Sequence, residues 1–188
     1  DGACYTGKEH SWDEAFGYWG AAAHSLLLSA EQNYNIAKKK DLVSADYNED
    51  GAVDLKSEYV FAHAYYASSF DKGGKTSYME DITRAFLDGR KLITSANGEK
   101  LTDAQRSELM EYVAIISENW QKVIAESVFK YAGSTYKSLV ALEDVSNDDL
   151  AKEFSKYMKY WGELKGFSMA LQVGKDNIGE SATKLNRM

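Results

Sequence analysis

The sequence contains no proline and only one cysteine among its 188 residues. Proline is the residue that most often interrupts helices, so its absence favours long, uninterrupted helices. The single cysteine, Cys4, excludes a disulfide within the chain and any zinc or redox site built on paired cysteines. The longest stretch without a charged residue, 15–30, is shorter than the roughly 20 apolar residues that a membrane-spanning helix requires. We therefore expect no transmembrane segment.

Clusters of basic residues are also scarce, and the longest run is the three lysines at 38–40. Asp and Glu outnumber Lys and Arg by 29 to 22, which gives a formal net charge of −7. Because proteins that bind a phosphate backbone present a concentrated basic surface, nucleic acid is not an expected partner. Residues 1–30 lack the basic start, apolar run and cleavage site of an export signal, so we expect that any targeting peptide was removed or never present.

The composition is sufficient for a folded core, because 44% of the residues are hydrophobic and 13% are aromatic. The length fits one compact domain over 1–188. Apolar residues recur at three- and four-residue spacings, which is the period of an amphipathic helix. We therefore predict an all-α bundle of about five helices, with helix–helix packing as the source of the core. The predicted helices span 11–37, 59–68, 77–93, 102–142 and 146–171.

Two pairs of residues have the spacing of a capping box, in which a hydroxyl and an acidic or amide side chain satisfy the first backbone N–H groups of a helix. They are Ser11 with Glu14 and Thr102 with Gln105. Each pair predicts a helix start at its hydroxyl residue. The final segment, 174–188, is polar, and we expect it to be loosely held.

Two glycines, Gly17 and Gly20, lie in the first predicted helix. Each costs about 1 kcal/mol relative to alanine inside a helix, so their presence there needs a packing reason. We expect both to allow the close approach of another backbone segment.

The sharpest local motif lies between the first two predicted helices, at 46–58. Residues with oxygen-bearing side chains occupy loop positions 1, 3, 5 and 9, glycine occupies position 6 and a β-branched residue occupies position 8. Carboxylate and amide oxygens suit a hard cation, and the glycine lets the chain reverse with a positive φ. The pattern therefore predicts an EF-hand-like calcium loop. Its expected ligands are the side chains of Asp46, Asn48, Asp50 and Asp54 and the carbonyl of Ala52, with the turn at Gly51.

The loop departs from the usual pattern at position 12, where Ser57 replaces the bidentate glutamate and Glu58 follows it. If a helix begins at Asp54, then Asp54 and Glu58 lie on one face, and Glu58 supplies the missing ligand after a small rotation. The chain has one such loop rather than a pair, so we expect a structural role for calcium. The alternative is an acidic turn in which Asn, Asp and Gly serve only to reverse the chain.

A second candidate metal site is formed by His10, Asp13, Glu14 and His24. On a helix His10 lies over Asp13 and Glu14, and His24 follows fourteen residues later, close to the same face after four turns. The alternative is that Glu14 belongs to the capping box and Asp13 complements the helix dipole. The chain has no HExxH motif, no nucleophile elbow and no phosphate-binding glycine loop.

Two phrases of the sequence resemble a family of imelysin-like bacterial proteins of unknown function. The first is CYT at 4–6 followed by EHSWDEAFGYWG at 9–20, and the second is DYNEDGAVDLKSE at 46–58. The similarity covers about residues 4–66. It implies an imelysin-like helical bundle that is exported, often as a lipoprotein, to the periplasm or the cell surface.

The resemblance also implies a link to iron acquisition, and the wider group has carried a metallopeptidase label. Imelysins proper carry a GxHxxE motif, whereas this chain has Gly7 three residues before His10 and Asp13 three residues after it. The family has a further helical region ahead of the first phrase. The chain is therefore expected to be either the C-terminal portion of a longer precursor or one half of a site whose other half lies elsewhere.

Three functional hypotheses follow. The first is a non-enzymatic, calcium-binding helical protein of the bacterial envelope that binds a metal, a metal complex or a partner protein. The second is a metal-dependent, peptidase-like hydrolase that uses His10 with Asp13 or Glu14. The third is a structural subunit of a larger assembly, which would expose an apolar face when isolated.

Overall fold

The computed structural model describes residues 4–173, 180–181, 184 and 187. Within these residues the chain is all-helical and contains no strand, so the all-α prediction is confirmed. The described chain contains seven α-helices rather than about five, together with a short 3₁₀ turn at Ser25–Leu27. The helices are α1 (Gly7–Trp19), α2 (Ala30–Ala37), α3 (Leu42–Ala45), α4 (Ala62–Asp71), α5 (Tyr78–Ser95), α6 (Asp103–Ala141) and α7 (Leu150–Val173).

The chain forms two compact units, 1–120 and 121–188. Helices α1 to α5 and the first part of α6 belong to the first unit, and the remainder of α6 and α7 belong to the second. Because α6 runs through the boundary without interruption, no linker separates the two units. The assignment of 1–188 to one domain stays a prediction.

The predicted helix over 11–37 is wrong, because the chain breaks it after α1. Helix α1 begins at Gly7, and its capping box is Thr6 with Glu9 rather than Ser11 with Glu14. The Glu9 N–H donates to the Thr6 hydroxyl at 3.3 Å, and the Thr6 N–H donates to the Glu9 carboxylate at 2.7 Å. The chain then leaves the helical conformation at position 20.

Gly20 ends α1 with a φ of 85°, a left-handed conformation that glycine adopts without strain. Its carbonyl accepts a hydrogen bond from the Phe61 N–H at 2.9 Å. A Cβ atom at position 20 would lie 2.6 Å from the Phe61 carbonyl oxygen, so the predicted close approach is confirmed here. A Cβ atom at Gly17 would meet no atom within 4 Å, so the same prediction is wrong at that position.

The remaining helix boundaries agree more closely with the sequence pattern. The capping box of α6 is confirmed, because the Gln105 N–H donates to the Thr102 hydroxyl at 3.2 Å and the Thr102 N–H donates to the Gln105 side-chain oxygen at 3.0 Å. Helix α4 begins and ends three residues later than predicted, since residues 59–61 are not helical and Phe61 has an extended backbone. The prediction of a loosely held end at 174–188 lies mostly outside the described residues.

The core of the first unit is built where α1 packs on α5. The Trp19 indole is fully buried and donates to the Thr83 hydroxyl at 3.0 Å. The Trp12 indole donates to the Phe86 carbonyl at 2.8 Å and lies directly on Gly89, where a Cβ atom would come within 2.3 Å of the ring. The tryptophans of the 9–20 phrase therefore serve packing, and the glycine on α5 makes room for one of them.

The second unit pairs the later part of α6 with α7. The buried side chains of this pair include Val123 and Leu164. The rings of Tyr131 and Phe167 are stacked with their centroids 5.7 Å apart. Among the described helices, none has both the length and the apolar character needed to span a bilayer, in agreement with the sequence.

Candidate metal centre

The predicted calcium loop, 46–58, connects α3 to the extended segment before α4 and lies entirely within the first unit. Two backbone hydrogen bonds join the end of the loop and the residues after it to the residues that follow α1. The Ala23 N–H donates to the Ser57 carbonyl at 2.7 Å, and the Phe61 N–H donates to the Gly20 carbonyl at 2.9 Å. The loop therefore lies next to the junction between the end of α1 and the start of α4.

The first half of the loop is organised around the carboxylate of Asp46. One of its oxygens accepts the Asp50 N–H at 3.1 Å, and the other accepts the Gly51 N–H at 2.9 Å. The Asn48 side-chain oxygen also accepts the Asp50 N–H, at 3.0 Å. Gly51 has a φ of 85°, so the predicted chain reversal at this residue is confirmed. Loop positions 1, 3, 5 and 6 are thus brought together as the spacing predicts.

The second half of the loop differs from the prediction that a helix begins at Asp54. The Glu58 N–H donates to the Asp54 carbonyl at 2.8 Å, which makes a single helical turn, but α4 begins only at Ala62. The Asp54 carboxylate accepts the Lys56 N–H at 2.9 Å and the Ser57 hydroxyl at 2.8 Å. The Lys56 N–H is the largest of the effects that lower the pKa of Asp54, and the Ser57 hydroxyl and the charge of Lys56 lower it further. The single helical turn therefore places Asp54 and Glu58 on the same side of the turn.

The buried side chain of Glu58 joins the two halves of the loop by hydrogen bonds. Its side chain is only 5% exposed, and its carboxylate accepts three backbone N–H groups from both halves of the loop. One oxygen accepts from Tyr47 at 3.1 Å and from Asn48 at 3.2 Å, and the other accepts from Asp54 at 2.9 Å. The sequence predicted Glu58 as a ligand but not as the acceptor that joins the two halves.

Oxygen atoms are concentrated in this loop, and each carboxylate oxygen has two lone pairs. Each oxygen of Asp46 accepts one backbone N–H and keeps a second lone pair, whereas one oxygen of Glu58 already accepts two N–H groups and the other accepts one. The Asp50 carboxylate accepts the Ala52 N–H at 2.9 Å and the Asn48 amide at 3.0 Å, which places loop positions 3, 5 and 7 beside each other. As the side chains stand, no three His, Cys, Asp or Glu residues in the described part of the chain are arranged to hold a metal ion. Ion binding by the loop stays a prediction.

The second candidate site is only partly assembled. His10 lies inside α1, with its Nε2 3.4 Å from the Glu14 carboxylate and its ring stacked on Tyr5. The Asp13 carboxylate instead accepts from the Arg90 Nε at 2.8 Å. Because α1 ends at Trp19, His24 does not share a helical face with the other three residues.

His24 instead contacts residues at the start of the predicted calcium loop and in α3 just before it. It is 5% exposed, its Nε2 lies 2.9 Å from the Ser44 carbonyl oxygen, and its ring is stacked on Tyr47 with centroids 4.9 Å apart. The residue thus connects the segment after α1 to the first residues of the loop. Metal binding at His10, Asp13, Glu14 and His24 stays a prediction.

A network of hydrogen bonds and one ion pair around Glu9, whose side chain is buried, was not predicted from the sequence. The Glu9 carboxylate accepts from the Thr6 N–H, from the Arg90 guanidinium at 2.6 Å and from the Thr94 hydroxyl at 2.7 Å. The Thr6 N–H is the largest of the effects that lower the pKa of Glu9 to about 2. The signal was present in the sequence, because residues 6–9 have the capping-box pattern TxxE.

Glu9 is expected to make folding stability depend on pH in acid. Its pKa is lower in the folded chain, so its contribution is present above the ordinary pKa near 4.5 and is lost as the pH falls toward 2. The difference in the free energy of unfolding between wild type and Glu9→Gln should therefore shrink over that range. Urea denaturation at a series of pH values measures it, with Glu14→Gln, an exposed carboxylate of the same helix, as the control. A constant difference from pH 6 to pH 2 would contradict the prediction.

The two sequence segments that resemble imelysin-like proteins, 9–20 and 46–58, both lie in the region described above. Residues 9–20 form most of α1, and residues 46–58 form the loop. No protein-family profile, no curated protein and no solved structure matches this chain, so the resemblance stays a prediction.

Proposed function

We propose that this protein is a non-enzymatic, calcium-stabilised helical protein in which the loop 46–58 binds one calcium ion. The ligands are the side chains of Asp46, Asn48, Asp50, Asp54 and Glu58 and the carbonyl of Ala52. The observation that carries the proposal is the buried carboxylate of Glu58, which accepts N–H groups from both halves of an acidic loop. A loop held closed in this way keeps its oxygen-bearing side chains close together before any ion arrives.

The charge of the loop supports an ion rather than a simple turn. The segment 46–58 carries five carboxylates and a single lysine, Lys56. Like charges at this density destabilise a compact loop unless a cation offsets them, and calcium accepts six to eight oxygen ligands without a strict geometry. A turn that needed only to reverse the chain would require Gly51 and one Asn or Asp, but not the remaining acidic residues.

Calcium in this loop would act on the architecture of the first unit. The loop is joined to the end of α1 through Ala23 with Ser57 and through Gly20 with Phe61. An ion that binds only the closed loop stabilises those contacts as well. By the resemblance, the protein belongs to the bacterial envelope, at the periplasm or cell surface, with a role linked to iron acquisition or to a protein partner.

A role as a structural subunit of a larger assembly is the second candidate. The second unit exposes large apolar side chains, including Phe129 at 84%, Tyr136 at 68% and Phe154 at 51%. A partner that covered these side chains would bury apolar surface, which is the basis of this candidate. The hydrolase hypothesis gains no comparable support, because Asp13 is bound to Arg90 and the described chain offers no third ligand beside His10 and Glu14.

The calcium proposal predicts that calcium raises the melting temperature. An ion at a hundredfold excess over its dissociation constant adds about 2.7 kcal/mol, which is about 5 to 10 °C for a chain of this length. Calorimetry in calcium and in EDTA measures the shift, and titration calorimetry measures the stoichiometry. Asp50→Ala should remove the shift, whereas Asp144→Ala, an exposed aspartate of the second unit, should keep it. Equal melting temperatures of the wild type in calcium and in EDTA would reject the proposal.

A further inference from the structure

A polar cavity separate from the calcium loop lies within the first unit. Its volume is about 220 Å³, and it is bordered by the 3₁₀ turn, the start of α2, the end of α4 and the start of α5. No residue of the loop 46–58 lines it. One water molecule needs only about 10 to 15 Å³ of such space, so the cavity has room for several waters or for one small ligand.

Two buried oxygen atoms of the residues that line this cavity have no hydrogen-bond partner within the described part of the chain. They are Ser25 Oγ and Asn33 Oδ1, in residues that are 3% and 1% exposed. The orientation of the Asn33 amide is fixed, because its Nδ2 donates to the Ser25 and Ser29 carbonyls, both at 3.1 Å, and a carbonyl only accepts. Buried polar atoms without a partner cost free energy, so the two oxygens indicate an occupant that donates hydrogen bonds.

The carboxylate of Asp71 brings a negative charge to the same cavity. The residue is 6% exposed, and the groups that donate to it are uncharged. They are the Thr76 hydroxyl at 2.6 Å, the Tyr78 N–H at 3.0 Å and the Met79 N–H at 2.6 Å. Burial is the largest of the effects on the pKa of Asp71 and raises it. The oxygen that accepts the Met79 N–H accepts no other donor, so it keeps a lone pair for a ligand.

The other charges around the cavity do not favour an anion. Among the described residues that line it there is no lysine, arginine or histidine, and the second acid, Glu80, is paired with Arg84 at 2.7 Å. The N-termini of α2 and α5 border the cavity and carry a partial positive charge. At α5 two N–H groups already point at Asp71, and at α2 the Ser29 hydroxyl accepts the Gln32 N–H at 3.2 Å. An anion would therefore meet the carboxylate of Asp71 without a cation to offset it.

We propose that this cavity binds a small primary ammonium compound, whose N–H groups donate to Ser25 Oγ, Asn33 Oδ1 and the carboxylate of Asp71. An ammonium group has three N–H donors, which matches these three acceptors. Its short alkyl chain lies against Leu26 and Met79, which line the same cavity. Water alone would satisfy the two unpartnered oxygens but would not offset the charge of Asp71. The site goes beyond the calcium proposal, since it shares no residue with the loop.

The first test is a titration of the full chain, saturated with calcium, with propylammonium chloride, followed by two-dimensional ¹H–¹⁵N NMR. Binding should saturate in the millimolar range, because so few atoms limit the affinity. We expect the shifts at the Ser25 and Met79 N–H groups and at the Asn33 side-chain amide. Sodium chloride and tetramethylammonium chloride, whose cations have no N–H group, should not produce them. Propan-1-ol, which has no charge, should bind at least about tenfold more weakly.

Three results of this titration would overturn the proposal. An absence of saturable shifts would mean that the cavity holds water only. Shifts confined to the loop 46–58 would mean that the cation binds the acidic loop instead. Equal binding of tetramethylammonium or of propan-1-ol would mean that the N–H donors or the charge play no part.

Ser25→Ala tests the hydrogen bond without removing one from the free protein. Because the Ser25 hydroxyl has no partner there, the melting temperature should stay unchanged or rise, whereas binding of propylammonium should weaken about fivefold to tenfold. Ser168→Ala is the matched control, since its hydroxyl is also buried and without a partner but lies in the second unit. It should leave binding unchanged. Unchanged binding in Ser25→Ala, or an equal loss in Ser168→Ala, would contradict the site.

Asp71→Asn tests the charge and should weaken propylammonium at least about tenfold. Asp71 also accepts N–H groups at the start of α5, so the melting temperature of this variant is measured with its affinity. If the variant unfolds, Ser25→Ala decides the proposal. If it stays folded and binds as the wild type does, the proposal is wrong. Neither variant alters a proposed calcium ligand, so calcium binding measured by titration calorimetry should not change.

Discussion

Replacing Glu58 with glutamine is expected to lower the free energy of unfolding by about 3 kcal/mol and to abolish calcium binding. The buried carboxylate accepts three backbone N–H groups, two on one oxygen and one on the other. Glutamine replaces one of those oxygens with an NH₂ group, which donates and does not accept. At least one N–H of Tyr47, Asn48 or Asp54 then loses its acceptor. Urea denaturation and calcium titration of the same variant measure the two losses.

Glu49 provides a matched control for this substitution. It lies in the same loop, is exposed, and occupies loop position 4, which supplies no ligand. Glu49→Gln removes the same charge from the same segment, so it should change the free energy of unfolding by less than about 0.5 kcal/mol and preserve calcium binding. If the two glutamine variants behaved alike, the net charge of the loop would explain the result and the proposed role of the Glu58 carboxylate would be wrong.

The substitution of Glu58 is expected to lower the free energy of unfolding with or without calcium. Measurements in both conditions therefore separate the effect of the loop's hydrogen bonds from the effect of the ion. In EDTA the variant reports only the hydrogen bonds that close the loop. In calcium it reports those bonds together with the increment that the ion adds to the wild type. A loss of stability in EDTA without any effect of calcium on the wild type would mean that the loop is closed by Glu58 but serves as an acidic turn.

Local sequence signals were sufficient where a single segment decides its own structure. The spacing of Thr102 and Gln105 gave the start of α6, because both groups that cap the helix lie within its first turn. The reversal at Gly51 followed from the preference of glycine for a positive φ. In both cases the atoms that stabilise the conformation are neighbours in the sequence.

The start of α1 was mispredicted because two capping boxes compete in the same stretch. Ser11 with Glu14 and Thr6 with Glu9 have the same spacing, and nothing local distinguishes them. The choice is made by α5, whose Arg90 guanidinium and Thr94 hydroxyl bind the Glu9 carboxylate. A contact between residues some eighty positions apart therefore decides where the first helix begins.

A contact across the short turn between α4 and α5 explains the start of α5. The residue before the helix, Ser77, makes no capping hydrogen bond with its side chain. The carboxylate of Asp71, at the end of α4, accepts the Tyr78 N–H at 3.0 Å and the Met79 N–H at 2.6 Å instead. Burial raises the pKa of Asp71 even though these N–H groups favour its charged form. The intervening turn brings this acid to the helix start, which a local pattern does not encode.

The candidate calcium loop combines both kinds of information. The reversal at Gly51 was predicted, and Asp46, Asn48, Asp50 and Gly51 are bonded to each other in the first half of the loop, whereas their role as ion ligands stays a prediction. The helix expected from Asp54 does not form, since the chain makes a single turn and residues 59–61 are not helical. The Phe61 N–H is bonded to the Gly20 carbonyl at the end of α1, a contact that sequence spacing could not show.

The junction between α1 and α4 leads to the second large prediction: Gly20→Ala is expected to lower the free energy of unfolding by about 3 kcal/mol or more. A left-handed φ costs an L residue roughly 1 to 2 kcal/mol. The new methyl group would lie 2.6 Å from the Phe61 carbonyl oxygen, and relieving that overlap adds roughly 1 to 3 kcal/mol. Moving the two backbones apart also weakens the 2.9 Å hydrogen bond from the Phe61 N–H.

Gly17 provides a matched control, because the same substitution there should raise the free energy of unfolding rather than lower it. It lies inside α1, where a Cβ atom meets nothing within 4 Å and alanine is the better helix former by about 1 kcal/mol. Urea denaturation of Gly17→Ala and Gly20→Ala therefore compares one chemical change at two sites three residues apart. If Gly20→Ala were no less stable than the wild type, the close contact between the end of α1 and Phe61 would not exist. The Phe61 N–H would then have no hydrogen bond to the Gly20 carbonyl, and only the bond between Ala23 and Ser57 would join this region to the proposed calcium loop.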